Sequence, residues 1–356
     1  MTEVRSRRRS VRGAIAVLAL AAATAAPTAP ALAAGAAPAK SRSTAVHDIG
    51  TYAVGKAETT FVDTSRPTGP NNSYPGDDER TLLTTIYYPA QGTPVATPDD
   101  ITPTVDAPPL TKSGPYPLVI LSHGALARAV VYEAEAKTWA SAGYVVVGPD
   151  FPLSNANAPG GVTLSGSVGD VKNQPADDSF VLDQVLDLNR DQSKGSPLYG
   201  LIDPERIGAA GHSNGAITTY GFVYSDCCTD TRIRAAIAMS GIAGIVDDTP
   251  YFQGKNTPLF ILHGNADPVV PYSASQQAYD EAKAPKLFLT FLGAGHIQPF
   301  AGAQGVQGTA LLDSTTDFWD RYLKGDRSAL AKLRKAATVP NQTTFEEDTG
   351  ASTRNG

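Results

Sequence analysis

The segment Gly211-His212-Ser213-Asn214-Gly215 comes directly after an apolar run, Arg206-Ile207-Gly208-Ala209-Ala210, and constrains the fold more than any other stretch of the chain. A serine flanked by glycines at the end of a buried strand fits a sharp turn from strand into helix, because the glycines remove the Cβ atoms that would block it. Such a turn presents the serine hydroxyl at the edge of a sheet. A chain with 33 glycines can also hold this pentapeptide as a plain tight turn. The acid and the histidine downstream of it decide between the two.

Apolar runs spaced by helical segments surround this motif. Pro117–Ser122, Tyr144–Gly148, Ile207–Ala210, Ile233–Met239, Leu259–Leu262 and Leu287–Leu292 read as strands, and Tyr132–Ala142 has the composition of a helix. Asp177–Leu188 has helical periodicity through Phe180, Val181, Val185, Leu186 and Leu188, and the helix after the turn carries Ile217, Tyr220 and Val223. Two further helices are expected over Leu311–Leu323 and Ser328–Ala337. Upstream, Thr51–Pro89 is strand-like, clearest over Thr81–Tyr88, with a turn-rich connection at Asn71–Asp78 and a proline-dense surface loop at Gln91–Pro117. Strands that are apolar throughout, rather than alternating, are covered on both faces. The fold class expected is therefore α/β, with a mostly parallel central sheet and helices on both faces. One domain spans 49–340, and the polar tail at 341–356 reads as loose.

The N-terminus is set apart by composition. Arg5, Arg7, Arg8, Arg9 and Arg12 precede an apolar stretch from Ala14 to Ala23, and Ala31-Leu32-Ala33 comes after it. A basic region, a short apolar core and an A-x-A site describe a secretory signal peptide over 1–33, whose apolar core is too short to span a bilayer as a helix. The alternative is an uncleaved anchor. The twin arginines admit a Tat route as well as Sec. Residues 34–48 read as a linker, leaving a secreted protein with no membrane anchor after cleavage. The formal charge of −6 becomes more negative without those arginines, which argues against nucleic acid as a partner.

Cys227 and Cys228 are adjacent and the only cysteines, so they cannot make a disulfide framework. They form either a vicinal ring or two buried thiols. Acidic pairs such as Asp177-Asp178 can hold calcium, but a solvated face or a helix N-terminus explains them better. No metal and no cofactor are expected, and the chain is expected to be a monomer.

Serine needs a histidine base, and the histidine needs an acid to hold its tautomer. Five histidines allow elimination. His47 lies near the linker, and the sharp turn should send His212 away from Ser213. His123 belongs to a loop expected to supply an oxyanion donor, and His263 closes a strand as a structural hydrogen-bonding residue. His296, in Leu292-Gly293-Ala294-Gly295-His296 after the last strand, remains as the base, a capping loop histidine being the alternative. Asp267 leaves a parallel strand at its carboxyl end, the edge where α/β sheets place their sites, and Pro268 holds it extended. Asp247 and Asp248 are its rivals. Backbone N–H groups of Asn214 and Ala125 are the expected oxyanion donors, and Leu126, Ile242 and Ile297 adjoin these positions as substrate-binding candidates. Phe151–Gln174, rich in small polar residues, is long enough to be a wall or mobile flap beside the site, or else a solvated loop.

The order Ser213, Asp267, His296, with His-Gly after an early strand, resembles the α/β-hydrolase superfamily over nearly all of the mature chain. Tyr87-Tyr88-Pro89, Gly114–Gly124, Gln174-Pro175-Ala176-Asp177 and Asp203-Pro204-Glu205-Arg206-Ile207-Gly208 resemble more narrowly the secreted bacterial platelet-activating-factor acetylhydrolase and dienelactone-hydrolase-like group. The resemblance implies an α/β-hydrolase fold and a cofactor-free serine carboxylic ester hydrolase; the few aromatics and many small polar residues expected around the site point to short to medium acyl esters, small or polymeric. Similarity to cutinase-type polyester hydrolases is more distant: Asn214 stands where they usually carry methionine, and Ser240-Gly241-Ile242 lacks a tryptophan. A polyester or lipid hydrolase is the alternative within enzymes, a serine peptidase is disfavoured, and a non-catalytic α/β-hydrolase-fold binding protein is the alternative of another class.

Overall fold

The computed structural model describes residues 50–97 and 100–350. The stretches read as signal peptide and linker lie outside these. The chain opens on an antiparallel pair, β1 (Ala53–Asp63) and β2 (Arg80–Ala90), followed by the two-residue segments β3 (Ala96–Thr97), β4 (Asp100–Ile101) and β5 (Thr104–Val105). Then come β6 (Tyr116–Ser122), α1 (Glu133–Ser141), β7 (Val145–Pro149), α2 (Leu164–Asp170), α3 (Gln174–Arg190), β8 (Ile202–His212) and α4 (Asn214–Tyr224). The second half holds β9 (Ile233–Met239), β10 (Leu259–Gly264), α5 (Tyr272–Glu281), β11 (Lys286–Phe291), α6 (Gly305–Tyr322), α7 (Ala329–Ala337) and β12 (Thr343–Asp348).

Among the described residues the main sheet has ten strands in the order β12-β11-β10-β9-β8-β6-β7-β2-β1-β5. From β11 to β7 every neighbouring pair is parallel, while β12, β2 and β1 join antiparallel. All seven residues of β6 are buried, which explains its unbroken apolar sequence. Leu118 and Ile120 pack with Val181, Val185 and Tyr220 of α3 and α4 on one face, and Val119 and Leu121 pack with Trp139 and Trp319 of α1 and α6 on the other. Helices thus cover both faces, as the pattern requires.

The strand order reverses direction at β6, which has β7 on one side and β8 on the other. Such a switch point opens a crevice outside the carboxyl ends of the strands. The loop after β6 and the turn after β8 both empty into it.

Several expectations change. The segment read as a loose polar tail includes β12, which pairs with β11 from Thr343 opposite Phe291 to Asp348 opposite Lys286. Its alternate residues Thr343 and Phe345 are the less exposed ones, so a one-sided edge strand is hidden by its polar outer face. Helix α5 has no counterpart among the elements expected from the sequence, and α6 starts earlier than its apolar residues suggest. Asp177 and Asp178 do lie in the first turns of α3, but both are buried rather than solvated. No helix of the described residues is long and apolar enough to cross a membrane. Cys227 and Cys228 form a disulfide, and Asp247 lies close by. Sulfurs bonded to each other are not thiolates, the form in which cysteine binds metal.

Candidate active site

Ser213 sits between β8 and α4 with φ 57° and ψ −118°, a conformation rare for a residue with a side chain. The glycines make it possible. A Cβ on Gly211 would stand 2.2 Å from the Gly215 carbonyl oxygen, and one on Gly215 would stand 2.0 Å from that of Ser122. The Ser213 N–H donates to the Met239 carbonyl at 2.8 Å, tying the turn to β9.

Three side chains meet in series. Asp267 only accepts hydrogen bonds as a carboxylate, so His296 donates Nδ1–H to its Oδ2 at 2.7 Å. His296 Nε2 is then free to accept, and the Ser213 hydroxyl donates to it at 2.8 Å. Asp267 takes three more donors: His263 Nε2–H at 3.1 Å on Oδ2, and the N–H groups of Val269 and Val270 at 2.7 and 2.9 Å on Oδ1. Burial by itself raises this carboxyl, but bonds from His263, His296 and the Val270 N–H outweigh it and hold Asp267 well below the usual carboxylate range. His263 is fixed in turn by the Ser275 hydroxyl, 2.6 Å from Nδ1. The rival Asp247 is engaged elsewhere, accepting from the Thr249 hydroxyl at 2.6 Å, and it is Asp267 rather than Asp247 or Asp248 that the fold brings to His296.

His212 points away from Ser213. Its Nε2 lies 2.8 Å from the His296 carbonyl oxygen and its Nδ1 2.8 Å from the Tyr132 hydroxyl. His123 donates Nδ1–H to the Gly124 carbonyl at 2.7 Å and accepts the Phe151 N–H on Nε2 at 3.0 Å. Burial keeps it neutral by pushing its pKa down. His47 lies outside the described residues.

In the loop after β6, the Gly124 N–H donates to the Tyr132 hydroxyl oxygen at 3.1 Å and the Leu126 N–H to the Ser154 carbonyl at 2.8 Å. Leu126 adopts φ 63°. No partner within the described residues takes the Ala125 N–H or the Asn214 N–H, the latter at the positive end of α4 where helix amides have no internal acceptor. Ile297 adjoins His296 with 57% exposure, and Ile242, after β9, is half-buried.

The Phe151–Gln174 segment is an anchored wall rather than a loose flap. Asn214 donates through Nδ2 to the Ser167 carbonyl of α2 at 3.2 Å, and Gln174 through Nε2 to the Ser154 hydroxyl at 2.6 Å. Ser167 and Ser154 hydroxyls are 3.2 Å apart, Thr218 of α4 bonds Gln174, and the Ala156 N–H donates to the Ala127 carbonyl at 2.9 Å. The only sequence signal for this network is the run of small polar residues, which a solvated loop shares. A cavity of about 390 Å³ lined by Tyr52, Tyr116, Arg206 and Lys324 lies at the start of β6, the end opposite Ser213.

Chemically, the arrangement holds an exposed-edge hydroxyl against an unprotonated imidazole nitrogen, with a buried carboxylate behind the ring. It can move the serine proton to the ring and stabilise the resulting cation.

Residues 180–291, which carry the Ser213 turn and Asp267, match the family Phospholipase/Carboxylesterase. Residues 76–156 match Platelet-activating factor acetylhydrolase, isoform II. Over 99 residues the chain is 31% identical to Acyl-protein thioesterase 1 homolog 1 of Dictyostelium discoideum, an alignment covering 27% of this chain and 43% of that relative. The match thus spans under half of the relative's length. The solved ferulic acid esterase from Streptomyces cinnamoneus superposes over 86% of this chain and 98% of its own with a TM-score of 0.57 at 22% identity, a likeness of fold. With its switch point, its strand-turn-helix around Ser213 and these matches, the chain has the α/β-hydrolase fold.

Proposed function

We propose that the protein is a serine carboxylic ester hydrolase working through an acyl-enzyme on short to medium acyl esters. The observation that carries this reading is the hydrogen-bonded series Ser213, His296, Asp267 at the carboxyl edge of the sheet. Ser213 Oγ attacks the ester carbonyl carbon as its proton passes to His296 Nε2. The imidazolium, stabilised by Asp267, returns that proton to the leaving alcohol. Water then adds to the acyl-enzyme, giving its proton to His296, and the carboxylic acid leaves as Ser213 takes the proton back. The N–H groups of Ala125 and Asn214 hold the oxyanion in both halves, each worth about 10²- to 10³-fold in rate. Leu126, Ile242 and Ile297 border the acyl and alcohol groups.

Export by the N-terminal segment and action as a monomer, without nucleic acid or membrane partner, complete the proposal; export and the absence of a nucleic-acid partner rest on composition and charge. The test is hydrolysis of p-nitrophenyl esters of increasing chain length, with a thioester alongside, by the mature protein and by Ser213→Ala. A loss of about 10⁴-fold or more in the variant supports the serine mechanism. No turnover of any ester by folded wild-type protein overturns it.

A further inference from the structure

We infer that Tyr132 and His212 form a positioning strut that sets the oxyanion loop, the nucleophile turn and the base loop relative to one another. The inference rests on the ester hydrolase reading. His212 Nε2 faces only a carbonyl oxygen, that of His296 at 2.8 Å, so it carries the proton. Nδ1 must then accept, and the Tyr132 hydroxyl donates to it at 2.8 Å. The Tyr132 oxygen in turn accepts the Gly124 N–H at 3.1 Å. One line of hydrogen bonds therefore runs from Gly124 through Tyr132 and His212 to the main chain of His296, and every residue on it is buried.

Both ends of the line matter for the reaction. Gly124 precedes the Ala125 N–H, His212 is covalently joined to Ser213, and the His296 carbonyl belongs to a loop whose Gly293 and Gly295 give it little stiffness of its own. A buried histidine is more often a satisfied core group than a working one; this one differs because its partners are the oxyanion and base loops. Phe300 stacks on the His212 ring at 5.0 Å and 28°, fixing its plane, and the His296 ring lies 4.9 Å away. Burial, helped by the nearby His296, pushes the pKa of His212 down to about 3, so the ring keeps the neutral form the strut requires. Tyr132 and His212 touch no substrate atom in this scheme. They act through Gly124 and His296.

The experiment compares p-nitrophenyl ester kinetics of wild type, Ser213→Ala, Tyr132→Phe, His212→Phe, His212→Gln and the Tyr132→Phe/His212→Phe double variant. Because misplacement by 1 Å can cost about 10²-fold, kcat should fall roughly 10-fold in Tyr132→Phe and 10- to 100-fold in His212→Phe, with KM within about two-fold. The double variant should be no slower than His212→Phe, since both break one line. His212→Gln, which keeps a donor toward the His296 carbonyl, should recover part of the loss. If wild type is active and Ser213→Ala is not, while Tyr132→Phe and His212→Phe keep kcat within two-fold or multiply in the double variant, the strut is overturned. If wild type hydrolyses no ester, the hydrolase reading falls and the strut falls with it. Nitrogen-15 NMR of wild type needs no variant to fold. It should show His212 protonated on Nε2 and neutral from pH 5 to 8; a ring protonated on Nδ1, or one that titrates in that range, overturns the inference.

Discussion

Arg80 grips Asp177 at two points, Nε to Oδ1 at 2.7 Å and Nη2 to Oδ2 at 2.6 Å, with both side chains shut off from solvent. Arg80 begins β2, and Asp177 lies in the first turn of α3. The same guanidinium reaches Asp170 at the end of α2 at 3.1 Å, and Arg66 adds a second cation to Asp177 at 2.8 Å. Four charges from the rim of the sheet, the wall and α3 are thus neutralised together.

Removing one member of a buried pair strands the other charge, at a cost of about 3–5 kcal/mol. Arg80→Met should lower the unfolding free energy read from urea denaturation by that amount. Arg206→Ala, which breaks a half-exposed pair with Asp203, should cost roughly 1 kcal/mol or less. Equal losses in the two variants would deny Arg80 a clamping role.

Asp267 is surrounded by donors, so replacing it with an amide tests the tautomer of His296. In Asp267→Asn an amide NH₂ must face either His296 Nδ1 or the Val269 and Val270 N–H groups. If it faces His296, the ring protonates on Nε2 and can no longer accept from Ser213. The loss of kcat should be about 10⁴-fold, as expected for a wrong tautomer in preserved geometry. His263→Gln removes one donor of four and should cost far less. Ester kinetics on the two variants settles it: a mild Asp267→Asn would mean that another group orients the base.

The central elements were legible because their cause is local. Pro117–Ser122 is apolar on both faces since both faces are covered, and Gly211 and Gly215 are glycines since nothing larger fits. Chain order, elimination among the histidines and position at strand ends put Ser213, Asp267 and His296 forward, and the fold brings them into contact. What stayed hidden depends on partners far along the chain. Arg80 and Asp177 are 97 positions apart, and Tyr132 and His212 are 80 apart. Neither residue of a pair looks unusual alone. Two elements escaped for the opposite reason, a weak local signal: α5 buries only Ser275 and Ala278, and β12 shows polar residues outward.

Asn214 links the nucleophile helix to the wall, since its Nδ2 also lies 3.4 Å from the Ser167 hydroxyl. Asn214→Ala deletes this tie and leaves the backbone N–H in place. Hydrogen exchange over residues 163–173 should quicken, while kcat on small esters falls by less than about 10-fold, because the backbone N–H proposed as oxyanion donor survives. Unchanged exchange in that segment would show that the wall is held without this tie.

Glu135 gives stability a pH dependence whose sign can be worked out. It lies on α1 fully buried, and neither carboxyl oxygen has a hydrogen-bond partner among the described residues. Burial pushes its pKa from 4.5 up to about 8. The folded state therefore keeps the proton where the unfolded chain has lost it. The stability this contributes is complete below pH 4.5 and declines as pH rises toward 8, by about 1.4 kcal/mol per unit in between. Glu135→Gln keeps the shape and removes the titration. Its advantage over wild type should grow between pH 4.5 and pH 8 and level off above. Burial also raises Asp178, so the difference between variant and wild type, rather than either curve alone, isolates Glu135. Urea denaturation of both proteins at about pH 4.5, 6 and 8 reads that difference directly. A gap that stays constant across the three would mean that Glu135 ionises alike in the folded and unfolded chain.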